Sequence, residues 1–290
     1  MSENLDNQVN KSVINWYPGH MAKTRREIKE KLALIDIVYE VIDARMPKSS
    51  KIIDLDTLIK DKKRIVVVTK YDLCDKEKTN VILEEYKKQY PVLIFDLKTA
   101  TSKDIFKLVQ LTNDLLSDLN TKRKSMGLKP RLFRALVVGA PNVGKSTLIN
   151  RISHKNAVKT GNRAGVTKGI SWIRVSNTIE LMDTPGLLYP KIETSEIGLN
   201  LASLTSINED ILNKEEIASY IITTLFNKYP SILKERYHLE LDNFDLETIF
   251  VEIAKSTNSY KKGNIVDLER VYTIIINDLK EGRIKNITFD

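Results

Sequence analysis

The stretch GAPNVGKS, residues 139–146, follows the apolar run FRALVV (133–138) and leads into TLINRI (147–152). A glycine, four residues and then Gly-Lys-Ser, set between a strand-like run and a helix-like one, is the pattern of a phosphate-binding loop. The glycines let the backbone curl until its N–H groups point at phosphate oxygens. Lys145 brings a point charge toward the β- and γ-phosphates, and Ser146 offers an oxygen to Mg²⁺. Asn142, Val143, Gly144, Lys145, Ser146 and Thr147 are therefore expected to line a nucleotide. The competing reading is a chance glycine-rich turn, which would not need the strand, the lysine and the hydroxyl together.

Outward from the loop, DIVYEVI (36–42), RIVVV (64–68) and VLIF (92–95) are short runs rich in Val and Ile. Such runs read as strands buried on both faces. Helix-like stretches near 53–62, 76–89 and 102–118 alternate with them, which predicts an α/β fold with a mostly parallel sheet and right-handed crossovers. Two more strands are expected near 170–175 and 178–183. Residues 119–131 (LNTKRKSMGLKPR) carry five basic residues, a glycine and a proline, and read as a linker. After about residue 190 the pattern turns helical. Ile217, Ile221 and Leu225 recur every four residues, and Leu268, Val271, Tyr272, Ile275, Ile276 and Leu279 form a second stripe. The expected division is an α/β domain over 1–195, with a basic N-terminal segment, and an all-helical domain over 196–290.

Two further motifs name the nucleotide. DTPG (183–186) follows the apolar IELM, so Asp183 is placed behind a Mg²⁺ water and the Gly186 N–H near the γ-phosphate. Thr167, in NRAGVTKG between the loop and DTPG, is the natural switch threonine, whose hydroxyl joins Mg²⁺ only when the γ-phosphate is present. TKYD (69–72) closes the strand IVVVT. Guanine offers two donors on one edge, and the Asp72 carboxylate can accept both, whereas adenine lacks that pair. The stem of Lys70 would cover the base's face. An isolated TKxD is more often a polar turn; the loop and DTPG reverse that. TKYD precedes the phosphate loop, the reverse of the usual order. If the original termini lie close, a new linker can join them and the chain can open elsewhere. Residues 119–131 would be the join, and 186–195 would carry nucleotide state into the helical region.

The chain has 290 residues, 42% hydrophobic and 29% charged, with net charge +8. Residues 210–290 carry −3 and the remainder +11. A basic body fits a polyanionic partner such as nucleic acid, or merely a solvated surface. Trp16 and Tyr17 beside Lys23, Arg25 and Arg26, and the linker's Lys122, Arg123 and Lys124, are the candidate RNA contacts, with rings to stack on unpaired bases. No apolar run reaches the ~20 residues of a membrane span. Glu3 and Asp6 near the start, without Arg or an apolar block, argue against a secretory or transit signal. The single cysteine, Cys74, fits a reducing compartment and hence a cytoplasmic location. It is either a small packing residue or a reactive thiol.

On WYPGHMAK (16–23), DARMP (43–47), TKYD, GAPNVGKST (139–147), DTPGLLYPK (183–191) and GLNLA (198–202), the sequence resembles the circularly permuted GTPases, and among them the ribosome biogenesis GTPase A family. The resemblance implies a GTP/GDP-binding hydrolase acting late in assembly of the large ribosomal subunit, on its precursor and rRNA, with slow turnover that the particle stimulates and a monomeric state off the ribosome. It implies that His20 is the catalytic histidine acting on the attacking water, the alternative being a loop histidine that contacts RNA or caps a helix. It implies that Asn142 is the asparagine of K⁺-assisted hydrolysis. By position Lys98-Thr99 back the guanine, a departure from the family's usual Ser-Ala or Ser-Ser. Leu187 stands where signalling GTPases carry a water-orienting glutamine, and Thr69 stands where an asparagine is commoner. The rival readings are a nucleotide-gated RNA-binding module with incidental hydrolysis and a small-subunit assembly GTPase. Small-subunit relatives carry an added OB-fold or zinc module, for which this chain has neither the cysteines nor an N-terminal extension of strands.

Overall fold

Residues 37–43 are buried along their whole length, as a strand covered by helices on both faces must be. The computed structural model describes residues 19–153, 171–183, 194–206, 213–240 and 245–290. The order is α1 (Gly19–Lys31), β1 (Ile37–Asp43), α2 (Leu55–Ile59), β2 (Lys63–Thr69), α3 (Lys76–Lys87), β3 (Val92–Ile94), α4 (Ser102–Leu115), α5 (Ser117–Ser125), β4 (Phe133–Val138), α6 (Lys145–Ser153), β5 (Ser171–Arg174) and β6 (Ile179–Asp183). There follow α7 (Ser195–Ser203), α8 (Lys214–Lys228), α9 (Pro230–Tyr237), α10 (Leu246–Ser256), β7 (Tyr260–Lys261), β8 (Ile265–Val266) and α11 (Leu268–Lys280).

Among the described residues the main sheet runs β3-β2-β1-β4-β6-β5. All pairings are parallel except β5 with β6. Side chains alternate across it with the strand period of two. Ile37, Tyr39, Val41, Ile65, Val67, Ala135, Val137 and Leu181 enter one large apolar cluster with α6 and the C-terminal helices. Val38, Leu136, Val138 and Met182 pack with Ile28 of α1 and with α2 on the other face. Beside them Ile42, Val66 and Val68 pack with Leu83 and Cys74. Cys74 is 1% exposed and burial pushes its thiol up, so it is the small packing residue of the two readings.

The segment read as a linker is mostly helix. Ser117–Ser125 forms α5, with Asp118 in the first turn and Lys122, Arg123 and Lys124 in the last, the charge order that a helix dipole favours. It buries none of its side chains, so no apolar stripe announces it. Its end does carry a signal. Gly127 has φ +73, its N–H bonds Lys124 O, and Leu128 N–H bonds Arg123 O, the paired closure in which a glycine just past the helix is favoured. The helical region also holds a short hairpin, β7 with β8, turned through Gly263 and Asn264, both at positive φ.

The C-terminal helices share an apolar cluster with the sheet. Ile217, Ile221, Leu225, Val271, Ile275 and Leu279 belong to the same contiguous apolar cluster as the sheet's residues. The last residues thread back to the strand ends. Asn286 N–H bonds Leu73 O at 2.7 Å and Phe289 N–H bonds Arg45 O at 2.8 Å. Thr288 and Thr79 share a hydroxyl bond at 2.8 Å. The Asp290 side chain accepts from Lys48 N at 2.6 Å and Ser49 N at 3.1 Å. Asn200, in GLNLA, is 1% exposed and donates to both Ser49 Oγ and Asp290 Oδ1. Ile284, Ile287 and Phe289 are at most 1% exposed, and each buried side chain of that size contributes about 1.5–3 kcal/mol.

Candidate nucleotide site

Parallel strands put their C-terminal ends on one edge. Register sets Asp43 beside Thr69, Glu40 beside Val138 and Val137 beside Asp183. The chain leaves β1 toward β2 and β3, while β4 continues toward β6. The crevice therefore opens where the direction of winding reverses, the usual ligand position in open α/β sheets. The phosphate loop follows β4 and TKYD follows β2, so the two motifs flank β1.

Direct bonds join the two motifs. Thr69 Oγ1 donates to Val143 O at 2.6 Å and lies 3.0 Å from Ile42 O. The Lys70 ammonium donates to Asn142 O at 2.6 Å and pairs with Asp43 Oδ2 at 2.9 Å. Lys70 sits at φ 55 and Asn142 at φ 61, conformations that cost a side chain and recur where a site is over-determined by its surroundings. Thr69 thus braces the base turn against the phosphate loop through its hydroxyl, although it stands where an asparagine is commoner.

Within the loop, a Cβ on Gly139 would meet Val41 O at 2.3 Å, and one on Gly144 would meet Leu97 Cδ1 at 2.7 Å. Gly139 is required by its close approach to the backbone of β1, whereas Gly144 is favoured by its φ of +105, since the Leu97 side chain could yield. Val143 is fully buried, Ser146 is half-buried and Thr147 exposed. The Lys145 ammonium donates to Gly139 O at 3.0 Å and Ala140 O at 2.7 Å. The Asn142 amide nitrogen donates to Thr205 O and Oγ1, and Ser206 Oγ donates to Pro141 O at 2.7 Å. Pairing of Val137 with Asp183 brings the backbone of Asp183 onto the strand next to the loop.

The Asp72 carboxylate faces Lys98, whose Nζ lies 3.2 Å from Oδ2. The turn bearing Lys98 and Thr99 is built on Asp96, which accepts from both backbone N–H groups and from Thr99 Oγ1. Sequence reading missed the residue that holds this turn. Arg151, in the last turn of α6, donates through Nε to Leu97 O at 3.1 Å and through Nη2 to Lys98 O at 2.7 Å. Its signal was its place nearly two turns along the helix that starts at Lys145. Arg151→Ala is expected to weaken GDP binding by about 1–2 kcal/mol, roughly 5–30-fold, by freeing the turn. Titration with a fluorescent GDP analogue measures this, and an unchanged affinity would remove Arg151 from the site.

Asp43 is the buried hub of the strand ends. Both its oxygens are taken by Arg45, Oδ1 from Nε at 3.1 Å and Oδ2 from Nη2 at 2.9 Å. Burial opposes its charge, but Arg45 and Lys70 outweigh burial and hold the carboxyl well below the usual carboxylate range. Unfolding returns it to its ordinary value of 3.8. Between those two values the unfolded chain binds a proton that the folded chain does not, so this contribution is complete above about pH 4 and is lost as pH falls toward the depressed value. Urea titrations between about pH 3 and pH 7 should show a shallower acid decline in Asp43→Asn than in the parent. Equal slopes would show that Asp43 does not set the acid limb.

Of the residues predicted to meet RNA, Lys23 and Arg26 are exposed on α1, each 3.9 Å from a glutamate one turn on. Arg25 departs from the expectation. It turns inward to Asp54, with Nη1 3.0 Å from Oδ1, and its side chain is 15% exposed. Lys122 and Lys124 are exposed on α5, and Arg123 is partly covered, donating through Nε to Lys129 O. Trp16, Thr167, Gly186, Leu187 and the 186–193 part of the expected signalling route lie outside the described residues. His20 falls in the first turn of α1, but its side chain and that of Asp183 also lie outside the described set.

The fold and this crevice define a P-loop GTPase in which the guanine motif precedes the phosphate loop. Residues 134–242 match the family described as 50S ribosome-binding GTPase; TKYD lies outside that match, as the permuted order requires. The ribosome biogenesis GTPase A of Bacillus licheniformis is 40% identical over 279 residues, covering 96% of this chain and 98% of the relative. That of Thermotoga maritima is 30% identical over 277 residues, covering 96% and 94%. The solved structure of GNP-bound YlqF from T. maritima superposes with a TM-score of 0.63 at 27% identity, over 92% of this chain and 97% of that one. A GDP-bound YlqF structure gives the same score over 91% and 98%. The chain belongs to the ribosome biogenesis GTPase A family.

Proposed function

We propose that this chain hydrolyses GTP as an assembly factor in late maturation of the large ribosomal subunit, docking on rRNA according to its nucleotide state. The observation that carries the reading is the bonding of Thr69 and Lys70 of the base turn to Val143 and Asn142 of the phosphate loop, which supports reading two distant stretches as one nucleotide site. The names of the relatives supply the ribosomal context.

In this reading Lys145 and the loop N–H groups stabilise charge developing on the phosphates. Ser146 and Thr167 hold Mg²⁺, with Asp183 behind a water, and the Gly186 N–H meets the γ-phosphate. The Asn142 oxygen would help hold K⁺. His20 acts on the attacking water, in place of the glutamine that Leu187 cannot mimic. RNA meets Trp16, Lys23 and Arg26 on one side and Lys122, Arg123 and Lys124 on the other. The protein works in the cytoplasm as a monomer off the ribosome, with its functional division near residue 195 and the helical region reading the nucleotide state.

Co-sedimentation with each ribosomal subunit, with a non-hydrolysable GTP analogue, GDP or no nucleotide, tests this. Retention on large particles with the analogue, and turnover that those particles accelerate, are expected. Turnover unchanged by either particle over a range of salt would sink it. Leu187 favours a second reading, an RNA-binding module with incidental hydrolysis. His20→Ala separates the two: loss of stimulated turnover with RNA binding kept supports the enzyme, and unchanged turnover supports the module.

A further inference from the structure

Lys70 is an awkward residue on which to rest base recognition. Its four-carbon stem is flexible, and freezing it costs rotamer entropy. A stem that is to lie along the face of a purine must be fixed at its far end. The structure fixes that end twice, at Asn142 O (2.6 Å) and at Asp43 Oδ2 (2.9 Å). Asn142 belongs to the phosphate loop; Asp43 belongs to the DARMP stretch.

The Asp43 carboxylate is itself oriented. Arg45 meets it with two guanidinium nitrogens and with its backbone N–H, which reaches Oδ1 at 3.0 Å. A planar fork on a planar carboxylate sets its tilt as well as its position, which an ammonium cannot do. Arg45 is 1% exposed and is anchored by the C-terminal residues. Its Nη1 donates to Leu279 O at 2.7 Å and its carbonyl accepts from Phe289 N–H. A continuous chain of charge-assisted bonds thus runs from the end of α11 through Arg45 and Asp43 to the amine of Lys70.

We infer that Arg45 is a positioning residue for the guanine site, fixing Asp43 so that Asp43 fixes Lys70 along the base. The inference rests on the reading of TKYD as the guanine motif. It makes the end of α11 part of the base pocket's support, and this route lies outside residues 186–195.

The test is a cycle of variants titrated with a fluorescent GDP analogue, with folding checked by circular dichroism. Arg45→Lys keeps the charge and loses the fork. It should weaken GDP binding by about tenfold, mostly through faster release. In a Lys70→Met background, where the amine to be positioned is gone, the same change should alter affinity less than about twofold. A merely structural arginine would give the same fold-loss in both backgrounds, and that result overturns the assignment, as does an Arg45→Lys protein with unaltered GDP binding. If Arg45→Lys does not fold, Asp43→Asn carries the same two expectations and the same two failures. Asp72→Asn is run alongside. If it keeps its preference for guanine, the base-site reading underneath falls; if it loses that preference while the Arg45 cycle fails, only the positioning role falls.

Discussion

Asp72→Asn is expected to weaken GDP binding by about 3–4 kcal/mol, roughly 10²–10³-fold, and to turn the preference toward xanthosine diphosphate. A carboxylate accepts from both guanine donors, each bond assisted by its charge. An amide at the same place can accept from one and must present N–H groups to the other. Xanthine carries a carbonyl where guanine carries its exocyclic amine, so it meets an amide donor with an acceptor. Stability should hardly move. Asp72 is 31% exposed and pairs with a Lys98 that is 68% exposed, and pairs of that kind contribute at most about 1 kcal/mol. Parallel titrations with the two diphosphates and one urea melt measure all three quantities. GDP affinity that survives the change would end the guanine assignment.

The second large effect falls on stability. Arg45→Ala should cost about 3–5 kcal/mol, because it leaves Asp43 buried with only Lys70 beside it. Leu279 O would also lose its side-chain donor, keeping only backbone N–H groups, and a cavity would open at one of the largest fully buried side chains among the described residues. Against a total of about 5–15 kcal/mol, that is a large share. Arg45→Met, which keeps most of the volume, should be nearly as unstable if the stranded carboxylate is the cause. Double replacement with Asp43→Leu should recover much of the loss, since removing both partners of a buried pair is far milder than removing one. Denaturant midpoints at constant slope give the comparison. A loss under about 1 kcal/mol for Arg45→Ala would show that water reaches Asp43.

The strands were legible because burial on both faces writes itself as continuous runs such as Ile65–Val68. The phosphate loop and TKYD were legible because their chemistry demands fixed residue types at fixed spacing. Helix α5 was not, since a helix that buries nothing has no stripe, and only Gly127 pointed to its end. The β7–β8 hairpin was not, since two-residue strands are too short to show alternation. Arg45 and Asp43 entered the sequence reading only within the DARMP motif, with no role of their own. Their burial depends on Leu279, which lies 234 residues away along the chain, and no local pattern reports such a partner. Arg25 was grouped with its neighbours by charge, but helix geometry turns it toward Asp54 while Lys23 and Arg26 face outward. Arg151 escaped notice because an arginine in the last turn of a helix reads as a response to the dipole.

The apolar cluster common to the sheet and the C-terminal helices bears on how such a chain can change by descent. A helical region with its own closed core can be exchanged between lineages as a cassette. This one would arrive without the sheet face it was shaped against, and without partners for Asn286, Phe289 and Asp290 at Leu73, Arg45 and Ser49. New specificity in the helices is thus expected to accumulate by matched substitutions on both sides of the seam, with recombination across it selected against.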